Sequence, residues 1–480
     1  MNYKMITYIL GWVLKIQSAT MVIPLICAFL YNEKNEIWVW TVCIIASALL
    51  GIAITLKQPK NKTMYAKEGF VAVALSWILM SLVGSVPFIL SGNIPNFTDA
   101  FFESVSGFTT TGASILEEIE FLPHSMLMWR CLSHWIGGMG VLVFLMAIVP
   151  LSGGGSVHLL KAETTGPSVS KLVPKLKSTA MLLYAIYIVM TFIQVILLLF
   201  GGMDLFSSIA ISFSTAGTGG FAILNSGAAS YSPYIQYVIT IFMILFGIDF
   251  SLYHALLLRE AKRVLKSEEL KVYLGIIITA IVLIMLNSYN LFPTLEDAFR
   301  HISFTIGSVI TTTGFATTNY DLWPEFSKIV ILIVMFIGAC AGSTGGGIKV
   351  SRVIILIKSI VKEVRTSVHP RTTLKIKMNG RIVQHETVRV VNVFMAAYIM
   401  IFFTAVLLLS LDNFNFTTTF TAIVATLNNI GPGLDMVGPT GNFSQFSPLS
   451  KIIMSICMLV GRLEIFPMLL LLSPYTWKKN

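Results

Sequence analysis

Four short segments of this 480-residue chain combine hydroxyl or amide side chains with glycine, and each follows a short apolar stretch. They read Thr110-Thr111-Gly112-Ala113, Thr218-Gly219-Gly220-Phe221, Thr312-Thr313-Gly314-Phe315 and Asn429-Ile430-Gly431-Pro432. Non-helical backbone at membrane depth is tolerated only where protein or a water-filled cavity shields it. Four such loops around one axis would form a ring of carbonyl oxygens, which can replace the hydration shell of a cation. The pattern therefore indicates an ion-conducting pore made by fourfold internal duplication.

The four glycine loops belong to a longer repeat. Their last glycines follow one another at intervals of 108, 94 and 117 residues, and the residue six positions earlier is always small. A short helix is expected before each loop, near residues 98–108, 204–214, 296–309 and 416–427. Eleven helical residues rise about 16 Å, which is half the hydrocarbon thickness. We therefore expect four re-entrant half-helices, one for each loop.

Acidic residues stand at or near the outer starts of three half-helices: Asp99, Asp204 and Asp297. A carboxylate at a helix start can accept hydrogen bonds from free backbone amides and interacts favourably with the positive end of the helix dipole. The opposite, negative ends of the four half-helices would converge near the membrane centre. Such an arrangement favours a cation just below the glycine loops.

The composition excludes an ordinary soluble protein. Apolar residues make up 55% of the chain and charged residues only 12%, whereas about 25% of residues are charged in soluble domains. Six apolar runs approach or exceed the roughly 20 residues that cross a bilayer as a helix. They are residues 5–31, 39–56, 68–91, 179–201, 269–290 and 386–411. The first run lacks a small-residue cleavage site, so we interpret it as a retained span and not a signal peptide.

The distribution of the net charge of +10 argues against nucleic-acid binding. Basic residues concentrate in alternate loops and the C-terminal tail, namely in 57–67, 152–178, 259–272 and 349–389. Short basic loops stay on the cytoplasmic side. We therefore expect both termini on the cytoplasmic side of a membrane, with all four glycine loops opening outwards. The ten basic residues of 349–389 also suit contact with lipid headgroups or an acidic partner.

One expected span is interrupted by glycine. Residues 338–348 contain five glycines between two apolar stretches, and each glycine costs about 1 kcal/mol in a helix interior. We predict a break into two half-helices joined by a flexible loop, 339–348, beneath the glycine loops. The other second spans are expected near 125–151, 233–258 and 448–474.

These features predict an all-α polytopic membrane protein with about ten membrane spans and four re-entrant half-helices. An N-terminal transmembrane hairpin precedes four internal repeats, each reading span, pore helix, glycine loop, span. The predicted boundaries are 1–60 for the hairpin and 61–160, 161–265, 266–385 and 386–480 for pore repeats 1 to 4.

Seven motifs occur in order at the expected topological positions. They are Phe108-Thr-Thr-Thr-Gly112, Trp135-Ile-Gly-Gly-Met-Gly140, Phe213-Ser-Thr-Ala-Gly-Thr-Gly-Gly-Phe221, Thr311-Thr-Thr-Gly-Phe315, Gly342-Ser-Thr-Gly-Gly-Gly347, Asn428-Asn-Ile-Gly-Pro432 and Gly461-Arg-Leu-Glu464. With these motifs the chain resembles, over essentially its whole length, the Trk/Ktr/HKT superfamily of potassium transporters and especially its bacterial TrkH-type members. The resemblance implies M1–pore-helix–M2 repeats in a pseudo-fourfold arrangement. It also implies a gated, channel-like potassium uptake pore in a bacterial cytoplasmic (inner) membrane.

The resemblance also implies site residues. The selectivity filter would consist of Thr110, Thr111, Gly112, Thr218, Gly219, Gly220, Thr312, Thr313, Gly314, Asn429, Ile430 and Gly431. Potassium would be bound at Thr110, Thr111, Gly112, Gly219, Gly220, Thr312, Thr313, Asn429 and Ile430. Glycine at all four filter positions favours potassium over sodium. Because the second and fourth loops depart from Thr-Thr-Gly, we expect less stringent selectivity than in a tetrameric channel.

By the same resemblance, a gate lies below the filter. It would consist of Gly342, Ser343, Thr344, Gly345, Gly346, Gly347 and Arg462. The hypothesis is that Arg462 contacts carbonyl groups of loop 339–348 in the closed state and repels a resting cation. Arg462 could instead pair with Glu464 or with backbone groups and hold helices together.

The resemblance further implies a homodimer in which each protomer has its own pore. A cytoplasmic ring of TrkA-like regulator subunits would dock on it. The regulatory nucleotide, ATP/ADP or NAD(H), would bind that partner and not this chain, whose only cofactor would be the transported K⁺.

Two other functions remain open on the sequence. A symporter coupling potassium to protons or sodium would need a titrating or second-ion site, for which Asp249 and Glu464 are the candidate acids, although Asp249 could equally make a structural hydrogen bond. A pore subunit of a potassium-translocating ATPase is disfavoured by the TrkH-like gate and the Arg462 motif.

The remaining polar residues give no catalytic pattern. We interpret Arg130 as a structural or interfacial anchor, and the glycines at 137, 138 and 140 as permitting close helix packing. The five cysteines are interpreted as small buried hydrophobes. The seven histidines show no metal-ligand spacing, and no nucleophile–base constellation is found, so an enzyme is not expected.

Overall fold

The computed structural model describes residues 1–61, 64–138, 140, 176–371 and 374–477, and most of these residues are helical. In chain order the helices are α1 Tyr3–Thr20, α2 Val22–Leu30, α3 Lys34–Thr55, α4 Ala66–Leu90, α5 Phe97–Phe108, α6 His124–Gly138, α7 Leu176–Phe200, α8 Leu205–Gly217, α9 Pro233–Phe246, α10 Phe250–Leu257, α11 Ala261–Leu265, α12 Glu268–Ser288, α13 Leu295–Ile310, α14 Glu325–Ile337, α15 Val350–Val368, α16 His385–Leu409, α17 Phe416–Leu427, α18 Pro448–Arg462, α19 Phe466–Leu472 and α20 Pro474–Trp477. One antiparallel hairpin, β1 Lys377–Met378 with β2 Arg381–Ile382, lies between α15 and α16.

All six apolar runs of the sequence form helices that are long and apolar enough to cross a membrane. They are Tyr3–Leu30, Lys34–Thr55, Lys67–Leu90, Met181–Phe200, Glu268–Leu291 and His385–Asp412. A seventh is reached if α9 and α10, which meet at an angle of 91°, count as one bent span. The chain therefore forms a multi-pass membrane protein.

The N-terminal helices pack against the first long helix of the repeat region. α1 contacts both α3 and α4. Glycine allows the close approach of α1 and α3, because a methyl group on Gly51 would lie 2.8 Å from the carbonyl oxygen of Gly11. The N-terminal hairpin is thus attached to α4 through α1.

Four short helices lie close to their predicted positions: α5, α8, α13 and α17. Each begins at a residue whose side-chain oxygen accepts a backbone N–H of the first turn: Asn96, Asp204, Thr294 and Asn415. Asp204 therefore caps its helix, as expected. Asp99 and Asp297 instead lie in the first turn, where their charge still interacts favourably with the helix dipole.

The four short helices pack in a closed cyclic order. Each contacts the long helix before it and the helix after it within its own repeat. Each also contacts the second helix of the preceding repeat, in the pairs α8 with α6, α13 with α9, α17 with α14 and α5 with α18. The last pair joins the two ends of the repeat series, so the short helices surround one axis.

The second helices of the repeats depart from the sequence prediction in several places. The end of the predicted span 125–151 and most of the basic segment 152–178 lie outside the described residues. The predicted break in the third repeat is present, with α14 and α15 separated by residues 338–349. We call these residues the 338–349 segment.

Two further breaks were not expected from the sequence. The predicted span 233–258 bends sharply between α9 and α10, where Asp249 caps the start of α10. The predicted span 448–474 is interrupted between α18 and α19, at residues Glu464 and Ile465, which have positive φ of 55° and 69°. Pro467 lies in the first turn of α19. Proline is favoured at the start of a helix, where its missing N–H is not needed, and it would disrupt a helix that continued through this position.

Candidate ion-conducting site

The four glycine loops share one backbone conformation. We number them loop 1 (110–112), loop 2 (218–220), loop 3 (312–314) and loop 4 (429–431). The first residue of each has φ between 53° and 58°, and the last, a glycine, has φ between 78° and 100°. The residue between them has negative φ. Alternation in the sign of φ curves consecutive peptide groups to one side of the chain.

The first two backbone amides of each loop donate hydrogen bonds to carbonyl oxygens of the preceding short helix. In loop 1, Thr110 N–H donates to Gly107 O at 3.1 Å and Thr111 N–H to Ser106 O at 2.9 Å. The same pair of bonds recurs in loops 2, 3 and 4. This pattern is a Schellman motif, which normally has glycine at its left-handed position, whereas here that position is threonine or asparagine.

The loop carbonyls have no such partners. Within the described residues, none of the carbonyl oxygens of the four loops accepts a hydrogen bond from the protein. A buried carbonyl group requires a polar partner. The loops therefore present unsatisfied oxygens, the donor type that coordinates alkali cations.

The loops close into a ring in which each glycine abuts the next loop. A methyl group added to Gly112 would lie 1.9 Å from Gly219 O, and one added to Gly220 would lie 1.9 Å from Thr313 O. The corresponding distance from Gly314 to Ile430 O is 2.1 Å, and from Gly431 to Thr111 O it is 2.7 Å. The order is cyclic, and a side chain at these positions would collide with backbone.

One cavity of about 190 Å³ touches the glycine of every loop. Its wall also includes the residues that follow the loops and the carboxyl-bearing Glu117. The ring therefore faces a common polar mouth.

Side chains behind the ring hold loops 1, 3 and 4. The hydroxyls of Thr109 and Thr111 are 2.8 Å apart, and those of Thr311 and Thr313 are 2.7 Å apart. Asn429 donates from Nδ2 to Thr111 Oγ1 at 2.9 Å and so connects loop 4 to loop 1.

A fully buried ion pair, not recognised in the sequence as a pair, fixes the chain after loops 1 and 2. Arg130 Nε lies 2.8 Å from Glu103 Oε1, and both side chains are at most 1% exposed. Glu103 also accepts from Ile115 N–H at 3.1 Å, and Arg130 Nη1 donates to Ala222 O at 3.2 Å. This geometry fits the interpretation of Arg130 as a structural anchor.

Glycines in α6 permit the close packing expected of them. A methyl group on Gly137 would lie 1.9 Å from Phe108 O, and one on Gly138 would lie 2.5 Å from the Cα of Gly217. α6 therefore lies directly against the ends of two short helices.

The 338–349 segment contacts loops 3 and 4 at the ends of their short helices. Gly346 N–H donates to Thr312 Oγ1 at 2.6 Å, and Gly347 N–H donates to Asn428 O at 3.0 Å. A methyl group on Gly346 would lie only 2.3 Å from Asn428 O. The glycines of this segment therefore allow contact at backbone distance with the ring.

Arg462, at the end of α18, holds the segment from the other side. Its Nη1 donates to Thr344 O at 2.8 Å, and its Nη2 donates to Gly138 O at 2.9 Å and also to Gly137 O. The expected contact with a carbonyl of loop 339–348 is thus present in the structure. The bonds to Gly137 O and Gly138 O fit the alternative interpretation, in which Arg462 pairs with backbone groups and holds helices together. Glu464, the other partner considered, pairs with Arg352.

Two charged residues of this region were missed in the sequence. Lys349 is 2% exposed and donates from Nζ to Gly345 O. Glu269 Oε1 accepts from Ala341 N–H at 2.7 Å and Ser351 N–H at 3.1 Å, and so connects α12 to the 338–349 segment and to the first turn of α15. Lys349 lies two residues after the last glycine of the run, and this position was the available signal. Glu269 resembled an ordinary acid at a span end.

The remaining candidate groups have structural partners. Asp249 accepts from the N–H and the hydroxyl of Ser251 at 2.8 and 2.6 Å. These are structural hydrogen bonds, the alternative to ion binding that the sequence left open. All five cysteines are buried thiols. Among the described residues, no group of three or more His, Cys, Asp or Glu is arranged to hold a metal ion.

Comparison with known proteins identifies the family. The profile of the TrkH family, described as cation transport protein, matches residues 34–479. The chain is 36% identical to the Trk system potassium uptake protein TrkH of Escherichia coli strain K12, with all of both chains covered. It is 30% identical to the Trk system potassium uptake protein TrkG of the same strain, with 99% of each covered.

A solved structure gives the same result. The chain is similar to the crystal structure of the potassium transporter TrkH from Vibrio parahaemolyticus, with a TM-score of 0.89 and 32% identity over the whole of both chains. The similarity in sequence and the similarity in fold both extend over the full length of the chain. The chain therefore belongs to the TrkH family of cation transport proteins, which are membrane transporters and not enzymes.

Proposed function

We propose that this chain is the pore-forming subunit of a potassium uptake system. The observation that carries the proposal is the cyclic contact of four loops that share one backbone conformation. In each loop the first two amides bond to the preceding helix and the carbonyl oxygens accept no hydrogen bond from the described residues. That the transported ion is potassium is inferred from the relatives, which are named potassium uptake proteins.

The filter would work by replacing water around K⁺ with carbonyl oxygens. The oxygens come from residues 110–112, 218–220, 312–314 and 429–431, which are the residues inferred from the sequence. K⁺ would enter down the membrane potential, which supplies about 2.3 kcal/mol per charge per 100 mV. Because loops 2 and 4 differ from loops 1 and 3 in sequence, the four sides of the ring are not equivalent.

The 338–349 segment is proposed as the gate. It contacts loops 3 and 4 through Gly346 and Gly347, and Arg462 bonds it at Thr344. The guanidinium places a fixed positive charge next to the path below the ring, which disfavours a resting cation. Opening would require the segment to move away and the bonds from Arg462 to break.

The proposed topology has an N-terminal hairpin and four pore repeats, with ten spans in all. It counts the second helix of each of the four predicted repeats as a span, alongside the six long apolar helices. Basic loops on the cytoplasmic side would place both termini inside and the mouth with Glu117 outside.

The proposed assembly is a homodimer with a TrkA-like cytoplasmic regulator that binds ATP/ADP or NAD(H). Support comes from the names of the relatives, which describe a Trk system, and from the basic loop that follows α15. Nucleotide binding would change the conformation of the regulator, and α15 would transmit that change to the 338–349 segment.

The test is ion flux in proteoliposomes with opposed potassium and sodium gradients, with and without regulator. A pore predicts a reversal potential set by the potassium gradient and flux that responds to the regulator. A reversal potential that shifts with pH or sodium at fixed potassium would mean coupled transport. The capping role of Asp249 does not favour that alternative.

A further inference from the structure

Loop 2 lacks the hydroxyl pair that stands behind loops 1 and 3. In those loops the paired threonines lie three residues and one residue before the last glycine, as Thr109 with Thr111 and Thr311 with Thr313. The corresponding positions of loop 2 are Gly217 and Gly219. Loop 2 therefore has no side chain of its own at either bracing position.

The imidazole of His134, from α6, fills the space behind Gly219. A methyl group added to Gly219 would lie 2.3 to 2.5 Å from Cγ, Nδ1 and Cδ2 of the His134 ring. A methyl group added to Gly217 would lie 2.2 Å from the backbone oxygen of His134. The absence of side chains at Gly217 and Gly219 thus makes room for His134, which is 0% exposed.

The His134 ring is itself held on two sides. Its Nδ1 lies 2.7 Å from Gly107 O, in the short helix of the first repeat. Because a carbonyl only accepts, Nδ1 must donate, and this bond fixes the ring orientation. The ring also packs on Phe221, immediately after loop 2, with centroids 4.2 Å apart. His134 therefore connects the first short helix to both ends of loop 2.

Loop 4 has a different brace at the same level. The hydroxyl of Tyr398 donates to Asn428 Oδ1 at 2.9 Å, and Asn428 occupies the position of Thr109, Thr311 and Gly217. Loops 1 and 3 are thus braced by their own threonines, and loops 2 and 4 by a ring from a neighbouring helix. The imidazole of His134 behind loop 2 is part of this scheme and not a chance core contact.

We propose that His134 is a positioning residue that contributes to the ion selectivity of the filter by bracing loop 2. It takes the role that the paired threonine side chains have behind loops 1 and 3. This inference rests on the proposed function of the four loops as the filter. His134 contacts the loop and not the ion. It keeps the carbonyls of residues 218–220 at the distance from the axis that suits K⁺.

The proposal predicts a reciprocal pair of substitutions. His134→Ala leaves space behind Gly219, so loop 2 can relax outwards and the K⁺/Na⁺ permeability ratio should fall about tenfold or more. Gly219→Thr alone should also lower the ratio, because its side chain collides with the ring. The double variant His134→Ala/Gly219→Thr removes that collision and restores a threonine, so its ratio should recover towards wild type.

The experiment measures reversal potentials of the full-length protein in proteoliposomes under potassium and sodium gradients. The variants are His134→Ala, Gly219→Thr and the double variant, each first checked for monodispersity. His254→Ala, in a buried histidine of α10, is the matched control and should keep the wild-type ratio. Gly314→Ala serves as the test of the filter itself.

The outcomes separate the two levels of the proposal. Non-additive recovery in the double variant supports a positioning role, since a merely structural histidine would not be rescued by a threonine in another element. If Gly314→Ala lowers the ratio but His134→Ala does not, the role of His134 is overturned and the filter stands. If neither lowers it, the filter assignment fails and this inference fails with it. Should His134→Ala not fold, an unchanged ratio in Gly219→Thr would overturn the proposal alone.

Discussion

The loops depend on single residues whose backbone conformation is unusual. Thr110, Thr218 and Thr312 adopt the left-handed conformation, which costs roughly 1–2 kcal/mol for a residue with a Cβ. The glycines that close the ring avoid that cost and also avoid collision with the next loop. Each loop is therefore held in place by its neighbours.

Substitution of the ring glycines should reduce selectivity in a graded way. Gly112→Ala, Gly220→Ala and Gly314→Ala place a methyl group about 2 Å from a carbonyl oxygen, whereas Gly431→Ala places it at 2.7 Å. We expect the first three to lower the K⁺/Na⁺ permeability ratio about tenfold or more, the equivalent of ~1.4 kcal/mol, and Gly431→Ala to do so less. Reversal potentials in proteoliposomes measure the ratio.

The matched control is Gly202→Ala. Gly202 also has a positive φ, 84°, but among the described residues nothing lies within 4 Å of a methyl group added there. Gly202→Ala therefore introduces the same kind of backbone strain without a collision. A loss of selectivity in Gly202→Ala equal to that in Gly112→Ala would contradict the ring explanation.

Arg462→Gln should increase flux in the absence of regulator. The substitution removes the charge-assisted bonds to Thr344 O and Gly138 O. Loss of one such bond, worth ~1.5 kcal/mol, would raise the open fraction about tenfold. Potassium flux measured without regulator is the readout. Lys451→Gln, on the same helix but paired with Asp99, is the control, and an effect of equal size there would refute the specific role of Arg462.

At the scale of elements, the sequence predicts helices better than their interruptions. The six long helices and the four short ones agree with apolar length and spacing. The break at 338–349 was predicted because this segment contains five glycines, which disfavour a helix. The bend at Asp249 and the break before Pro467 were missed, although a capping residue and a proline marked them, because an apolar run of span length outweighed them.

Glu269 provides an element-scale test of the gate. Its carboxylate binds Ala341 N–H, within the 338–349 segment, and Ser351 N–H, in the first turn of α15. Glu269→Gln keeps the shape but removes the charge, so the 338–349 segment should be held less firmly and flux without regulator should rise several-fold. Glu268→Gln, one residue earlier and paired with Lys358, should not change it. Equal flux in both variants, measured in proteoliposomes, would exclude Glu269 from gating.

At the scale of the whole molecule, the ring exists only because distant segments meet. Loop 4 contacts loop 1, and α18 contacts α5, across more than 300 residues of sequence. The sequence predicted the loops and that they would share an axis, because the glycine-containing segment recurs four times along the chain. It did not predict Glu103 with Arg130, His134 behind Gly219, or Glu269 at the break, because such pairs depend on contacts between helices.

Stability tests one of these long-range contacts. Glu103→Gln leaves Arg130 buried without its counter-charge, which should destabilise the protein by about 3–5 kcal/mol. Thermal unfolding in detergent should therefore show a clearly lower midpoint. Glu260→Gln removes the exposed pair with Arg263, worth less than ~1 kcal/mol, and serves as the comparison. Equal midpoints would mean that the buried pair does not hold the loops.

The most direct measurement is the position of a transported cation. Crystals grown with Rb⁺ in place of K⁺ would locate the ion by anomalous diffraction. We predict a peak inside the ring, surrounded by carbonyl oxygens of residues 110–112, 218–220, 312–314 and 429–431. A ring without a peak, with Rb⁺ bound instead beside an acidic group such as Asp249, would contradict the account.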